Sequence, residues 1–437
     1  MVTPKSINPQ LNLDAAKSGL VEEQQPWPAN PPRRASVATS GFGGANAHLV
    51  VEEFPSQGFI GTDIDNRKMR SSRFLLPFSA HKPESQVQNF EALAAVYGEY
   101  SPADVAYTLG RRSRLPYREF AIVSTDPDNK TSPSLSKDQL QIAKRLRTTP
   151  PRIGLIFTGQ GSQWPQMGKE LFRWFPPFQR AIHMMNETLQ RLPDGPAWTL
   201  EDSQVYVAEI SQPACAAVQI GLVDLLNSWN VVLYACMGHS SVAEMAAAYA
   251  AGRVSLEEAV AAYYRGKCVA QVTRNGSMAA IGMTVEDCET LLEPLNPRVT
   301  IAAINSPESI TISGDTDTIH EVSSISTSKG IFNRLLPTGG KAYHSSHMKE
   351  IGEIFESSTR GGQAMYYGHE DRGRPVTPFF TSVSGHRLPE DFQITPSYWR
   401  QNVESPVLFS PALVEMVNYG FNTLVKVGPH SALAGPI

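Results

Sequence analysis

Cysteine is scarce, four in 437 residues, and none of the four forms a C-x-x-C pair or stands at a zinc-ligand spacing from a histidine. That argues against a disulfide framework and a zinc site. Cys215, Cys236, Cys268 and Cys288 read instead as reduced core residues of a cytoplasmic protein. Long apolar runs are also missing. None reaches the ~18 residues that cross a bilayer, so no membrane partner is expected. The opening MVTPKSINPQ has neither a basic start nor an apolar stretch and does not read as a secretory signal. Charge of one sign is not in excess: 38 basic against 42 acidic residues gives −4, which argues against a nucleic-acid module and against an acidic tail. A dinucleotide fingerprint is lacking as well. GFGG at 41–44 is not G-x-G-x-x-G, and strand-like LVVEEF follows it rather than a phosphate-capping helix.

What is present is a chain able to bury a core, 41% hydrophobic and 18% charged, with a length that suits about three units of ~150 residues. Proline is the one excess, 33 residues, and PWPANPP and TTPP read as linkers. Segment 35–54 reads as a glycine-rich turn entering a strand. Residues 55–72 and 126–151 read as polar linkers, flanking a small α+β unit with strands at 74–80 and 119–125 and helices at 84–97 and 101–112. Ser101 and Pro102 mark the start of the second helix. From 152 strands and helices alternate. RIGLIF is a buried strand, 211–229 a helix capped by Ser211 with Pro213 in its first turn, 231–237 a continuous apolar strand, and 255–272 a further helix. Between 277 and 343 the strands SMAAIGM, VTIAAIN and SITISG alternate with helices 285–293 and 316–329 in a β-α-β-β-α-β rhythm.

Four features carry chemistry. Strand–GHSS–helix at 231–251 sets Ser240 on a sharp turn at a helix N-terminus. That suits a nucleophile served by backbone N–H donors, or a plain helix cap. KAYHSSHM at 341–348 offers a base, His344 or His347, which a nucleophilic serine needs. TGQGSQ at 158–163 follows the first strand of the alternating region, where open α/β sheets build sites, and Gln160 is the candidate there. Arg265, midway along an apolar helix, needs an anionic partner: Glu257, Glu258 or another carboxylate of the protein, or a substrate carboxylate gripped by its fork.

These features, with RIGLIFTGQGSQW, AAINSPESITISGD, YWRQNVESPVLFSPAL and VGPHSALAGPI, occur in an order that resembles the acyltransferase domain of fungal iterative, highly reducing type I polyketide synthases over about 151–437. Residues 1–54 resemble the C-terminal tail of a ketosynthase, and 55–150 the linker unit between ketosynthase and acyltransferase. The resemblance implies an α/β fold: an α/β-hydrolase-like large subdomain and a ferredoxin-like small one at about 277–343, preceded by the α+β linker unit. It implies an acyltransferase that moves malonyl from malonyl-CoA to the phosphopantetheine thiol of an acyl carrier protein by way of a seryl ester. Ser240 would be the nucleophile and His344 the base. The backbone N–H groups of Ser241 and Gln160 would hold the oxyanion. Arg265 would pair with the malonyl carboxylate, while Gln212, Asn305 and Tyr343 would line the pocket. Tyr343 would favour a malonyl-sized pocket. No bound metal or redox cofactor is implied; the partners are malonyl-CoA, the carrier protein and other synthase domains or subunits. His48 belongs to a structural motif of the ketosynthase tail.

The chain departs from the family pattern beside both catalytic positions. GHSSVAEMAAAYAAG carries Val242 where the family has glycine, and one residue more, which should rotate the following helix by ~100° or form a π-bulge. LLPTGGKAYH is about one residue longer than the family's strand before the histidine. Pro337 and Gly339–Gly340 weaken that strand, and Lys341 replaces the residue that opens the motif. The stretch NVVLY lacks the family's turn proline. Two other outcomes stay open: a truncated synthase fragment of little activity that only binds partners, and a serine hydrolase of thioesters. Arg265 separates the latter, because hydrolysis of a neutral acyl group needs no guanidinium.

Overall fold

The computed structural model describes residues 32–40, 44, 46–52, 73–113, 115–124, 135–143, 151–192, 194–201, 207–256, 261–364, 375–431, 433, 435 and 437. The chain forms two units, 1–70 and 71–437. In the first, β1 (Arg34–Ser40) and β2 (Asn46–Glu52) make an antiparallel hairpin in register Arg34↔Glu52 to Ser40↔Asn46. The strand expected near 49–54 is β2. Its partner β1 lies in RASVATS, whose small and polar residues give a weak strand signal. His48 Nε2 lies 2.6 Å from Ser36 Oγ across the hairpin.

The second unit begins with the α+β segment: β3 (Arg73–Ala80), α1 (Pro83–Val96), α2 (Pro102–Arg111), β4 (Tyr117–Ser124) and β5 (Leu140–Ala143), with sheet order β3-β4-β5, all antiparallel. In α2, Val105 and Leu109 recur at helical spacing and are buried with Leu76, Phe78 and Phe90. Pro102 opens that helix, but Ser101 makes no side-chain cap. Strand β5 lies within the stretch read as polar linker; four residues are too few to display a period. A single 3-10 turn, Lys137–Gln139, precedes it, while 126–134, 144–150 and 55–72 lie outside the described residues.

The large subdomain follows with β6 (Ile153–Phe157), α3 (Lys169–Trp174), α4 (Pro176–Arg191), α5 (Ala208–Ser228), β7 (Ala235–Gly238), α6 (Ser240–Ala250) and α7 (Ala261–Ala270). The small subdomain interrupts it: β8 (Gly276–Ile281), α8 (Val285–Leu292), β9 (Val299–Ser306), β10 (Ser309–Asp315), α9 (Thr316–Ser328) and β11 (Asn333–Leu335). The large subdomain resumes with α10 (Gly352–Ala364), β12 (Phe379–Phe380), α11 (Pro396–Glu404), α12 (Phe409–Asn418) and β13 (Thr423–Val427). Its sheet is parallel, in the order β12-β7-β6-β13. Leu155, Phe157 and Cys236 join α4–α7 in one core. The small sheet, β11-β8-β10-β9, is antiparallel and carries α8 and α9, with Ile281, Ile310, Ile312, Ile319 and Val322 fully buried or nearly so. Taken in chain order, that sheet runs 4-1-3-2 in a β-α-β-β-α-β unit, the ferredoxin-like arrangement.

Three local expectations change. Helix α5 starts at Ala208, so Ser211 is not its cap but a buried residue inside it, and Pro213 stands inside the helix rather than in its first turn. A Ser-x-Pro start signal loses here to burial of the whole apolar stretch, which carries helix upstream of it. The apolar run 231–237 is strand only from Ala235. Tyr234 N–H donates to the Ile153 carbonyl, where β6 begins, so Val231–Leu233 have no β6 residues beside them. The segment before His344 is not a strand beyond Leu335. Gly339 and Gly340 turn it at φ +64° and +76°, and Gly276 N–H bonds the Gly340 carbonyl. No described helix is long and apolar enough to cross a membrane.

Candidate active site

The site begins at the end of β7. Strand β7 is buried between β6 and β12 and ends at Gly238; His239 is extended, and Ser240 opens α6 with φ +71°. A non-glycine residue there is strained, and the strain lifts the serine hydroxyl off the sheet end. The helix turns back so sharply that a Cβ on residue 238 would lie 2.4 Å from the Glu244 nitrogen. The close packing expected of a glycine at 242 is thus supplied by Gly238, while Val242 is buried in the main core. No π-turn interrupts α6, which continues as α-helix from Ser240 to Ala250 once past the strained φ of its first residue.

Ser240 Oγ lies 2.6 Å from His344 Nε2. His344 Nδ1 lies 2.9 Å from the carbonyl oxygen of Ser405, the residue that ends α11. A carbonyl only accepts, so Nδ1 carries the proton and donates it, leaving the Nε2 lone pair to face the serine. That is the tautomer a general base requires. His344 itself has φ +57°. Just after it, Ser345 Oγ donates to the Ala342 carbonyl at 2.7 Å and accepts from His347 N–H at 3.2 Å, which tightens the turn that presents the imidazole. The choice between the two histidines is made by geometry: His347 is buried with Nε2 2.9 Å from Asp315 Oδ1 in the small subdomain, away from Ser240.

Electrostatics keep the base neutral. Burial and the charge of Arg265 push the His344 pKa down to about 3, against the hydrogen bond to Ser405 that raises it. Arg265 is itself buried, which lowers its pKa to about 10, so it remains a cation at neutral pH. Its guanidinium carbon lies 5.2 Å from the centre of the Tyr343 ring. Among the described residues, its Nε and Nη1 have no hydrogen-bond partner. Glu257 and Glu258 lie outside the described residues. Helix α7 is pinned around Arg265 by Asp194, whose backbone carbonyl accepts from Tyr263 at 2.8 Å. The Asp194 carboxylate accepts from Tyr264 at 3.2 Å and Lys267 at 2.7 Å.

The glycine loop after β6 presses on the elbow: a Cβ on Gly159 would lie 2.6 Å from the His239 carbonyl and 3.6 Å from Ser240 Cβ. The Gln160 side chain is committed. Its Nε2 donates to the Tyr343 hydroxyl at 3.1 Å, and its Oε1 accepts from Gln212 Nε2 at 3.1 Å. Of the groups on Gln160, this leaves the backbone N–H for the oxyanion contact that the sequence led one to expect. The N–H of Ser241 lies in the first turn of α6, where no helical carbonyl precedes it. Asn305 reaches the elbow, its Oδ1 2.7 Å from His239 Nε2 and its Nδ2 donating to Thr311 Oγ1 at 3.0 Å. His239 is neutral, its pKa lowered by burial against that bond.

Ser240, Ser241, His344, Gln160, Gln212, Arg265, Tyr343 and Asn305 are thus gathered around one strand end. Sequence reasoning missed Ser405, since a backbone carbonyl has no residue signature. It also missed Glu244, Ser382, Tyr398 and Asn402. A signal existed for the first of these: a single carboxylate in the apolar run VAEMAAAYAA must find buried donors.

The "Acyl transferase domain" family matches residues 155–436 and the "Ketoacyl-synthetase C-terminal extension" family residues 8–122. Highly reducing polyketide synthase 19 of Pyricularia oryzae is 38% identical over 489 aligned residues, spanning 99% of this chain and 19% of that protein. Prosolanapyrone synthase of Alternaria solani is 34% identical, spanning 99% of this chain and 20% of that one. The chain thus spans about a fifth of the length of these curated relatives. Among solved structures, the acyltransferase domain from module 8 of the salinomycin polyketide synthase superposes with TM-score 0.71 at 23% identity, over 84% of this chain and 87% of that one. The malonyl CoA-acyl carrier protein transacylase of Clostridium perfringens does so with TM-score 0.57 at 25% identity, over 65% and 89%.

Two outcomes follow from this geometry. Gly238→Ala drives a Cβ into the backbone of α6 and should cost about 1–3 kcal/mol in denaturant unfolding; an unchanged midpoint would show that the elbow is not tightly packed. A serine-directed sulfonyl fluoride should modify Ser240 at a rate that stays level from pH 7 down to about pH 5, because His344 remains neutral until its own depressed pKa of about 3 is approached. A rate that halves near the ordinary histidine value of ~6.5 would overturn that account of the base.

Proposed function

The chain belongs to the acyl transferase domain family, and from that premise, with its similarity to a fungal highly reducing polyketide synthase, we propose that it transfers malonyl from malonyl-CoA to the phosphopantetheine thiol of an acyl carrier protein. The observation that carries the substrate is the buried Arg265 beside the dyad, a cation with two guanidinium nitrogens, Nε and Nη1, unpaired among the described residues. Burying an unpaired guanidinium is costly unless an anion arrives to meet it, and a malonyl carboxylate is such an anion.

In this reading Ser240 Oγ attacks the thioester carbonyl as His344 Nε2 takes its proton. The oxyanion of the tetrahedral intermediate rests against the Ser241 and Gln160 backbone N–H groups. The carbon–sulfur bond then breaks, and His344 returns the proton to the CoA sulfur, leaving malonyl on Ser240. The carrier thiol attacks that ester by the same steps in reverse order. The Ser405 carbonyl supports the imidazolium that forms at each stage. Tyr343 takes part as the aromatic floor beneath Arg265 and as the anchor of Gln160, which narrows the pocket to a small acyl group. The chemistry asks for no metal or redox cofactor. A CoA thioester is an intracellular substrate, which favours a cytoplasmic site of action alongside the other synthase domains.

Incubation with radiolabelled malonyl-CoA tests this. The folded protein should become labelled on Ser240, Ser240→Ala should take no label, and carrier protein should collect it. Arg265→Ala should lower kcat/KM for malonyl-CoA by roughly 10- to 150-fold, the worth of a charged hydrogen bond, while sparing acetyl-CoA. A folded chain that takes no label overturns the transferase, and label released as free malonate in the presence of carrier protein makes it a hydrolase.

A further inference from the structure

We infer that Glu244 is a positioning residue that holds nucleophile and base in one frame, acting through Ser382 on Ser240 and through Asn402 on His344. The inference deepens the proposed function and rests on its reading of Ser240 and His344 as nucleophile and base.

Glu244 stands one turn beyond Ser240 on α6 and is fully buried. Every hydrogen-bond contact described for its carboxylate can come from a donor. Ser382 gives both its backbone N–H and its Oγ–H, the latter at 2.8 Å. Thr381 Oγ1 is at 3.1 Å, the Tyr398 hydroxyl at 2.5 Å and Asn402 Nδ2 at 2.7 Å. None of these groups is a cation. Burial pushes the Glu244 carboxyl up, and the bonds from Tyr398, Ser382 and Thr381 pull against that. A carboxyl that served only to fill space would be cheaper as an apolar side chain.

Two of these donors lead onward to the site. Ser382 Oγ donates to Glu244 and also accepts the Ser240 N–H at 3.4 Å, so the strained first residue of α6 is tied to the segment that follows β12. Asn402 lies in the last turn of α11, three residues before Ser405, whose carbonyl fixes the His344 tautomer. One buried carboxylate therefore joins the backbone of the nucleophile to the element that orients the base. These parts come from residues 240, 344, 382 and 402–405, and the distance between Oγ and Nε2 depends on how α6 and α11 sit against each other. Tyr398 and Thr381 bond the same carboxylate without reaching either catalytic residue, and they offset its desolvation.

The experiment uses Glu244→Gln and Ser382→Ala in the full chain, with folding checked by circular dichroism and two readouts. One is the rate of Ser240 modification by a sulfonyl fluoride, which needs the dyad but not malonyl recognition. The other is the split of malonyl-CoA acylation into its rate constant and its half-saturating concentration. The proposal expects both variants to fold, the probe reaction and the acylation rate constant each to fall at least about ten-fold, and the half-saturating concentration to change by less than about two-fold, since sub-ångström misplacement costs rate rather than binding. Should Glu244→Gln not fold, Ser382→Ala carries the test alone. Folded variants that keep the wild-type rate, or that lose activity wholly through a raised half-saturating concentration, overturn the proposal. A wild-type Ser240 inert to the probe overturns it as well. Wild-type protein that reacts with the probe yet takes no malonyl refutes the proposed function, and the probe rates of the variants still decide the role of Glu244.

Discussion

The hydrogen bond from Ser240 to His344, 2.6 Å long between residues 104 apart in sequence, is the constraint the rest of the molecule serves. Each partner has positive φ and is not glycine, so each carries backbone strain that its surroundings must hold. On the serine side the means are the buried parallel strand β7, the closely packed Gly238 and the His239–Asn305 bond that reaches across from the small subdomain. On the histidine side they are the tight turn through Ser345 and the carbonyl at the end of α11. The ferredoxin-like insertion thus supplies Asn305, and the chain leaving it supplies Tyr343 and His344. The candidate active site is closed by an element inserted between α7 and α10.

A second physical theme is the charge buried beside that bond. Burial, and after it the charge of Arg265, disfavours a proton on His344, and in the proposed reaction the same cation meets an anionic acyl group. Arrival of a malonyl carboxylate would neutralise Arg265 and relieve its pressure on the imidazolium that forms as Ser240 attacks. The proposed mechanism thereby couples substrate recognition and base strength through one guanidinium. Among the described residues the neutral Ser405 carbonyl is what orients His344, while the buried Glu244 carboxylate bonds Ser382 and Asn402 instead.

Much of the architecture was legible along the chain. The small subdomain declared itself because VTIAAIN and SITISG read as strands between two helices of regular period, and the β7–GHSS–α6 turn did so because an apolar strand runs straight into a helix. Short or exposed pieces were not legible: β5 has four residues, β1 is rich in serine and alanine, and Val231–Leu233 are apolar yet have no ladder partner. Ser211 and Pro213 imitated a helix start inside a helix.

At the site the sequence determined which groups were available: a serine on an elbow, two histidines three residues apart, and an arginine on an apolar helix. The local pattern alone left His344 and His347 equivalent, and only the family resemblance favoured His344. That choice depends on where the chain turns after Gly340 and which carbonyl stands opposite the imidazole. Nor could it announce Ser405, which acts through a backbone oxygen common to every residue, or the route from Glu244 to α11. Periodicity and start signals are properties of neighbours along the chain. The Ser240–His344 pair, the charge beside it and the buried carboxylate are properties of distance in space, and only the packing of α6, α7 and α11 around the sheet end decided those.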